Sequence, residues 1–240
     1  LAAACALALL LLFSTAALAM AKGTRVDLRV VGSGGKALSE QFIGAKTTSI
    51  KTSPKATCLG KGTGGSGKSV TVKGATALGL LAQASKSTST LRPLLVTDAF
   101  DFGLGICGVG GSVQTSKLSW YLKVNHKNPE LGGDSVKLKT GDEVLWALEP
   151  YPYPNELSLV APTEATAGVP FTVSVFSYDD KGKKKPAAGV TVTDASAPTD
   201  AAGHTTVTLS DPAVLSATHG KDIPSNQVQV SCVSGKCLVQ

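Results

Sequence analysis

Histidine is scarce in this chain, and the cysteine spacings that hold metals are missing. His126, His204 and His219 are the only three histidines, they lie far apart, and no C-x-x-C occurs. A zinc site is therefore not expected. No G-x-S-x-G elbow exposes a nucleophilic serine. Asp142 and Glu143 are adjacent. On a strand they point to opposite faces and cannot work as a carboxylate pair. The expectation is a protein that is not an enzyme and has neither metal nor cofactor. Aromatic residues make up only 5% of the chain, and Ala, Gly, Ser, Thr and Val dominate. That composition favours many short strands and glycine-bearing turns over helix bundles. The net charge of +6 suits anionic surroundings such as cell-wall polymer or lipid headgroups. No recognition helix, aromatic-basic motif or dense basic stripe accompanies it, so no nucleic acid is expected as a partner.

Long apolar runs are also rare. Residues 1–19 form one, with Leu7 to Phe13 at its centre and no charged residue before Lys22. Ala17-Leu18-Ala19 is an A-x-A site for cleavage before Met20, and Ala19-Met20-Ala21 offers a second before Lys22. Residues 1–19 are read as a secretory signal. The basic start of such a signal is not in the sequence, which begins at Leu1, as expected if further residues precede it. Cys5 comes before the apolar stretch, where a lipoprotein cysteine would follow it. Leu91 to Ile106 is apolar but interrupted by Asp98, Asp101, Gly103 and Gly105, so it predicts a buried strand and then a loop, with no membrane span.

Thr24 to Val31 places Val26, Leu28 and Val30 on one face, the pattern of a strand. A second strand is expected within Ala37 to Ile50. Gly62 to Ser69 matches G-x-x-x-x-G-K-S, and Leu94 to Asp98 resembles a strand that ends in a magnesium-holding Asp. A phosphate-binding loop needs a core strand before it and a helix after it. Here Val70-Thr71-Val72 follows, which is β-prone, so nucleotide binding is a distant alternative. Ala75 to Ser85 has apolar residues at helical spacing and predicts the single helix.

From Trp120 to Leu148 the pattern is strand, turn, strand, tight turn, strand. Tyr121, Leu122 and Val124 mark the first. Asn125-His126 opens a turn, Val136 and Leu138 alternate with Lys137 and Lys139, and Thr140-Gly141-Asp142 turns into Val144-Leu145-Trp146. The last strand is apolar enough for burial on both faces. Trp120, Asn125, Gly132, Gly133, Gly141, Asp142, Val144 and Trp146 stand in an order that resembles the transcobalamin-like C-terminal domain family. The resemblance implies a small α+β (β-grasp-like) domain over residues 24–149, with one helix on a sheet. Members commonly have Gly after the turn Asn, where this chain has His126. They often pair an early Cys with one just after the Gly-Gly, where this chain has Asp134. The vitamin B12 carriers among them close their site with a large helical barrel, which is missing here. By that resemblance Trp120, Trp146, Tyr151 and Tyr153 are the candidates for a ligand face.

Residues 150–156 are Pro-rich and read as a linker, because alternating Pro stiffens the chain and blocks sheet pairing. Residues 157–232 carry at least six short β-patterned runs at regular spacing, the signature of a sandwich. The order G-V-P-F-T-V, A-G-V-T-V, T-D-A-A-G-H-T-T-V-T-L and S-N-Q-V-Q-V resembles bacterial Ig-like modules of surface proteins. The fold expected for the whole chain is mainly β: a transcobalamin-like domain followed by an Ig-like sandwich. Lys181, Lys183, Lys184 and Lys185 are expected at a solvated loop tip, where they could meet anionic polymer.

Removal of the signal leaves Cys58, Cys107, Cys232 and Cys237. An even number in a secreted chain implies disulfides, with three pairings possible. The domain boundary favours Cys58 with Cys107, and Cys232 with Cys237 closing a tail over 233–240. No L-P-x-T-G motif occurs, so any surface attachment is expected to be non-covalent. The functional expectation is a secreted or cell-surface binding protein, with capture of a small ligand (cobalamin or another solute) as the alternative. Its partner would be a cell-wall polymer, another surface protein or a small molecule.

Overall fold

The computed structural model describes residues 24–233. The signal at 1–19, its two cleavage points and Cys237 lie outside them. Nine strands and one α-helix build the first unit. They are β1 (Thr24–Val31), β2 (Ala37–Ala45), β3 (Thr48–Lys51), β4 (Ser69–Val72), α1 (Ala77–Ser87), β5 (Leu94–Phe100), β6 (Gly103–Val109), β7 (Ser112–Val113), β8 (Ser119–Val124) and β9 (Glu143–Glu149). The main sheet runs β2-β1-β9-β8. Its central pair β1 and β9 is parallel, and both flanking pairs are antiparallel. A mixed sheet of this order with one helix on it is β-grasp-like, in a chain that is mainly β throughout.

α1 starts where Thr76 caps it, accepting from the Gly79 amide at 3.1 Å. Eight of its eleven residues are buried, and they pack on Val26, Leu28, Val30, Leu122, Val144 and Trp146. These are the even-numbered residues of β1, β8 and β9, because side chains alternate along a strand. The expected alternation of Val26, Leu28 and Val30 is therefore the helix-facing side.

Two local expectations are corrected. Val136 and Leu138 are buried and Lys137 and Lys139 exposed, as the alternation implied. The segment pairs with no strand, however, and makes one bridge, to Thr76. Its carbonyls serve the helix start instead: the Ala77 amide donates to Val136 O at 3.2 Å, and the Leu78 amide to Gly133 O at 2.8 Å. The apolar run from Leu91 is two strands rather than a strand and a loop, because β5 turns at Asp101 and pairs back with β6. The second strand expected within 37–50 is β2, and β3 follows it.

The second unit comprises β10 (Glu156–Val160), β11 (Glu164–Thr166), β12 (Phe171–Tyr178), β13 (Lys184–Pro186), β14 (Thr191–Val192), β15 (His204–Val207), β16 (Ala213–Leu215), β17 (Ala217–Thr218) and β18 (Val228–Val233). β12 pairs with β10, β13 and β15, while β18 pairs with β11 and β16. Leu157, Val173, Val175 and Val207 from the first sheet share one core with Leu215 and Val230 from the second. The sequence boundary of the linker needs one correction. Glu156 is the first residue of β10, not linker, and is 2% exposed.

Cys58 and Cys107 form a disulfide across 49 residues. By chain entropy such a crosslink contributes roughly 2 to 4 kcal/mol. Cys232 has no disulfide among the described residues, and Cys237, its expected partner, lies outside them.

Gly133 is packed so closely that a Cβ there would come within 2.6 Å of Trp146 Cη2. Gly133→Ala must displace the Trp146 ring or the helix-capping loop. We expect a loss of about 1–3 kcal/mol, read as a lower denaturation midpoint with altered Trp emission. An unchanged midpoint and spectrum would show that the loop yields freely.

Candidate functional site

β8 is an edge strand of the main sheet. Trp120, Tyr121 and Leu122 are consecutive on it, and all three line one cleft of about 290 Å³. Consecutive strand residues face opposite ways, so the cleft must run along the β8 edge and collect side chains from both faces. Trp146 reaches it from β9, whose register puts Trp146 opposite Leu122 and Leu148 opposite Trp120. Tyr153 enters from the chain just after β9. Trp120, Trp146 and Tyr153 are thus gathered at one place, while Tyr151 is 83% exposed and outside the lining.

The three differ in what holds them. Trp146 is buried and its Nε1–H donates to Ala77 O at 3.4 Å. Trp120 is half-buried, and its Nε1–H is buried without a partner. Leaving such a donor unpaired costs about 1–3 kcal/mol. Tyr153 stacks on Tyr121 at 3.9 Å between centroids and shares a hydrogen bond of 2.8 Å with Ser119. No Asp, Glu, Lys, Arg or His lines the cleft. Tyr121 offers no base at neutral pH: burial first, and then the hydrogen bond to Asp180, push its phenol far above its usual value. The cleft can stack flat rings and exchange neutral hydrogen bonds, but it holds no acid–base pair.

Charged groups are concentrated on the other side of the sheet. Odd-numbered residues of β1, β8 and β9 turn away from α1 and meet the second unit. Val31, Tyr121, Leu145 and Ala147 close over Ile223, with Tyr153 against them. Arg29 forms an ion pair with Glu156 and donates to Pro224 O at 2.7 Å and Leu157 O at 3.3 Å. Lys123 is fully buried, donates to Tyr178 O at 3.1 Å and Asp179 O at 3.0 Å, and lies 3.8 Å from Glu156. Tyr121 donates to Asp180. His126 stacks on Tyr178 at 3.7 Å and places its two ring nitrogens 3.2 Å from Glu156 and 3.3 Å from Glu143.

The expected turn at Asn125 is present, and His126 occupies it in left-handed backbone. Asn125 has φ of 51° and His126 of 66°. Val124 and Lys127 exchange both backbone hydrogen bonds across them, as in a two-residue hairpin. Asp134 does not cross-link the chain, but it accepts from the Leu104 amide at 3.2 Å and so ties the Gly-Gly loop to β6. The lysine loop is less free than expected. Asp180 O accepts from the Asn128 amide at 3.0 Å, Lys181 bridges to Lys127, and Lys184 sits 3.7 Å over the Phe176 ring.

The Gly62–Ser69 loop does not form a phosphate cradle. A strand, β4, follows it where a helix is required. Its amides are already engaged: Gly65 with Ser53 O, Gly67 with Thr52, Lys68 with the Ser66 hydroxyl. Ser66 donates from both its amide and hydroxyl to Asp98, each at 2.6 Å. Those bonds hold the Asp98 carboxyl below its usual range. Among the described residues no group of three or more His, Cys, Asp and Glu is placed to hold a metal ion. No helix of the described residues is long and apolar enough to cross a membrane.

No family model matches the chain, and no curated protein and no solved structure matches it.

The Arg29, Lys123 and Glu156 cluster yields a stability prediction. Burial pushes the Glu156 carboxyl up, but His126, Arg29 and Lys123 together outweigh it and hold it below its ordinary value. Its contribution is therefore present at neutral pH and lost as pH falls below about 4. Asp27 and Glu40 are raised, both by burial first, so they gain stability as pH falls toward the same range. Glu149, raised to about 7 by burial, adds stability as it takes up its proton, so stability should rise as pH falls from about 7 to 5 and then drop. Glu156→Ala should cost about 3–5 kcal/mol at neutral pH, because it leaves two buried cations unpaired. Urea denaturation across pH checks both, and a loss under about 1 kcal/mol would mean water reaches the cluster.

Proposed function

We propose that this is an exported, non-enzymatic binding protein whose β-grasp-like unit captures a neutral or ring-bearing small molecule along the β8 edge. The observation that carries this reading is the cleft itself. It joins both tryptophans of the chain and Tyr153 in an uncharged lining. Base or ring stacking on such side chains contributes binding without acid–base chemistry. A ligand acceptor that reached the Trp120 Nε1–H would recover the cost of that unpaired donor. The Cys58–Cys107 disulfide supports an oxidising, extracellular location. The transcobalamin-like pattern of residues makes a corrinoid the first ligand to try.

The sandwich unit supports the cleft from behind. Tyr153, a cleft residue, is fixed by its stack on Tyr121, which is in turn tied to Asp180 of the second unit. A second reading adds a surface partner. Leu59 and Leu131 line the cleft yet are 45% and 62% exposed, and Phe102, stacked on Phe100 nearby, is 84% exposed. An exposed apolar rim of this kind fits a partner chain that closes over the bound molecule.

Both tryptophans line the cleft, so emission reports its occupancy directly. Cobalamin and the neutral ring probe N-phenyl-1-naphthylamine should each be titrated into the oxidised mature protein, with co-elution as a check on optical artefacts. Saturable one-to-one quenching is expected from the ring probe, weakened at least about tenfold in Trp120→Ala by loss of a stacking face. Cobalamin binding would identify the corrinoid class. Flat titrations with both ligands would remove small-molecule capture and leave the surface-partner reading.

A further inference from the structure

A second cleft lies where the two units meet. It has a volume of about 450 Å³, within the range of small-ligand sites. Gly34 and Gly35 form one side and the 218–222 loop the other, with Leu118, Leu148, Pro150 and Pro224 as apolar walls. Glu149, the last residue of β9, also lines it.

Glu149 is only 9% exposed, yet its carboxyl has no hydrogen bond and no ion pair with any described residue. Arg29, Lys123 and Glu156, the other charged side chains buried to that degree, all have partners. A buried carboxylate left without compensation is costly. Its oxygens are not sealed in the core either, for they belong to the surface of the cleft. The other titratable groups lining it do not offset Glu149. His219 Nδ1 and Asp222 are paired with each other at 3.0 Å. Lys221 is exposed and forms no ion pair.

We propose that this junction cleft binds a protonated primary amine carried on a short hydrocarbon body, with Glu149 as the counter-ion. The apolar walls fit the hydrocarbon, and the ammonium supplies the positive charge and donors that Glu149 lacks. An anion would be repelled, and a neutral ligand would leave the charge uncompensated. A metal ion is disfavoured, because no set of three ligating side chains converges there. This site is separate from the aromatic cleft and does not rest on it.

The chemistry sets a pH signature. Burial alone raises the Glu149 carboxyl to about 7, so ionisation at neutral pH is incomplete, and the amine binds only the ionised form. Affinity should rise with pH and level off above about pH 8.

The test is calorimetric titration of the full oxidised protein with n-butylamine. We expect saturable one-site binding at about pH 8, roughly tenfold weaker at about pH 6. Glu149→Gln keeps the shape and should lower affinity at least about tenfold and abolish the pH dependence. Butyrate, an anion with a hydrocarbon body of similar length, should not bind. In wild type the Glu149 side-chain carbon signal should titrate near neutrality and move to lower pH when butylamine is added. Absence of saturable binding, equal binding by Glu149→Gln, or an amine-insensitive Glu149 titration would each overturn it.

Discussion

Every second residue of β1, β8 and β9 points away from α1, and those residues depend on the second unit. One face of the sheet is completed within the first unit by the helix. The other presents Arg29 and Lys123 among Val31, Tyr121, Leu145 and Ala147. Two cations on an apolar face cannot be buried without partners. Glu156 and the carbonyls of Leu157, Tyr178, Asp179 and Pro224 supply them, all from the second unit. The pairing is therefore a matter of direction as well as area. Apolar contact at Ile223 could tolerate sliding, but the guanidinium and ammonium groups accept few arrangements of carbonyl and carboxylate. The two units are registered by charge and sealed by apolar contact.

The turn at His126 shows what that registration costs locally. A two-residue hairpin with both residues left-handed favours Asn followed by Gly, and a bulky side chain there costs of the order of 1–3 kcal/mol. Asn125 offsets some of this through its side chain, which bonds Asp142 at 2.9 Å and accepts from the Glu143 amide at 2.9 Å. His126 offsets more, by stacking on Tyr178 and reaching Glu156. The residue least suited to the turn is the one that carries the first unit onto the second.

Local periodicity was enough to locate β1, α1, β9, the turn at Gly141 and the β-rich second unit, because each is decided by which face is apolar. The resemblance, not the periodicity, picked out Trp120, Trp146, Tyr151 and Tyr153 as candidates; three of them line one cleft, and Tyr151 is exposed. Periodicity failed where burial comes without a ladder, as at Val136 and Leu138, whose alternation is set by the helix they cap. It failed again at Glu156, which reads as a polar linker residue beside Pro154. Arg29 and Glu156 are separated by 127 positions, and no local window shows that one answers the other. The legible signal was the charge of Arg29 and Lys123 on strands whose neighbours are apolar, which says that a partner is needed without naming it. Glu149 was hidden for the same reason: its oddity is a missing partner, and only the folded chain shows that none is near.

The division of labour between the two faces bears on the chemistry. Lys123, Glu149, Glu156, Asp27 and Glu40, all displaced from their ordinary ionisation, lie toward the junction. None lines the aromatic cleft. Burial between the units raises Asp27, Glu40 and Glu149 and lowers Lys123, the neighbouring cations and His126 lower Glu156, and the aromatic cleft is left with rings, amides and apolar side chains. Such a lining can recognise a shape and hold it against an edge strand. Because that edge is β8, whose far-face residues Tyr121 and Lys123 are fixed by the second unit, the rigidity of the junction passes to the cleft through a single strand. The same strand is thus a packing element on one face and a recognition edge on the other.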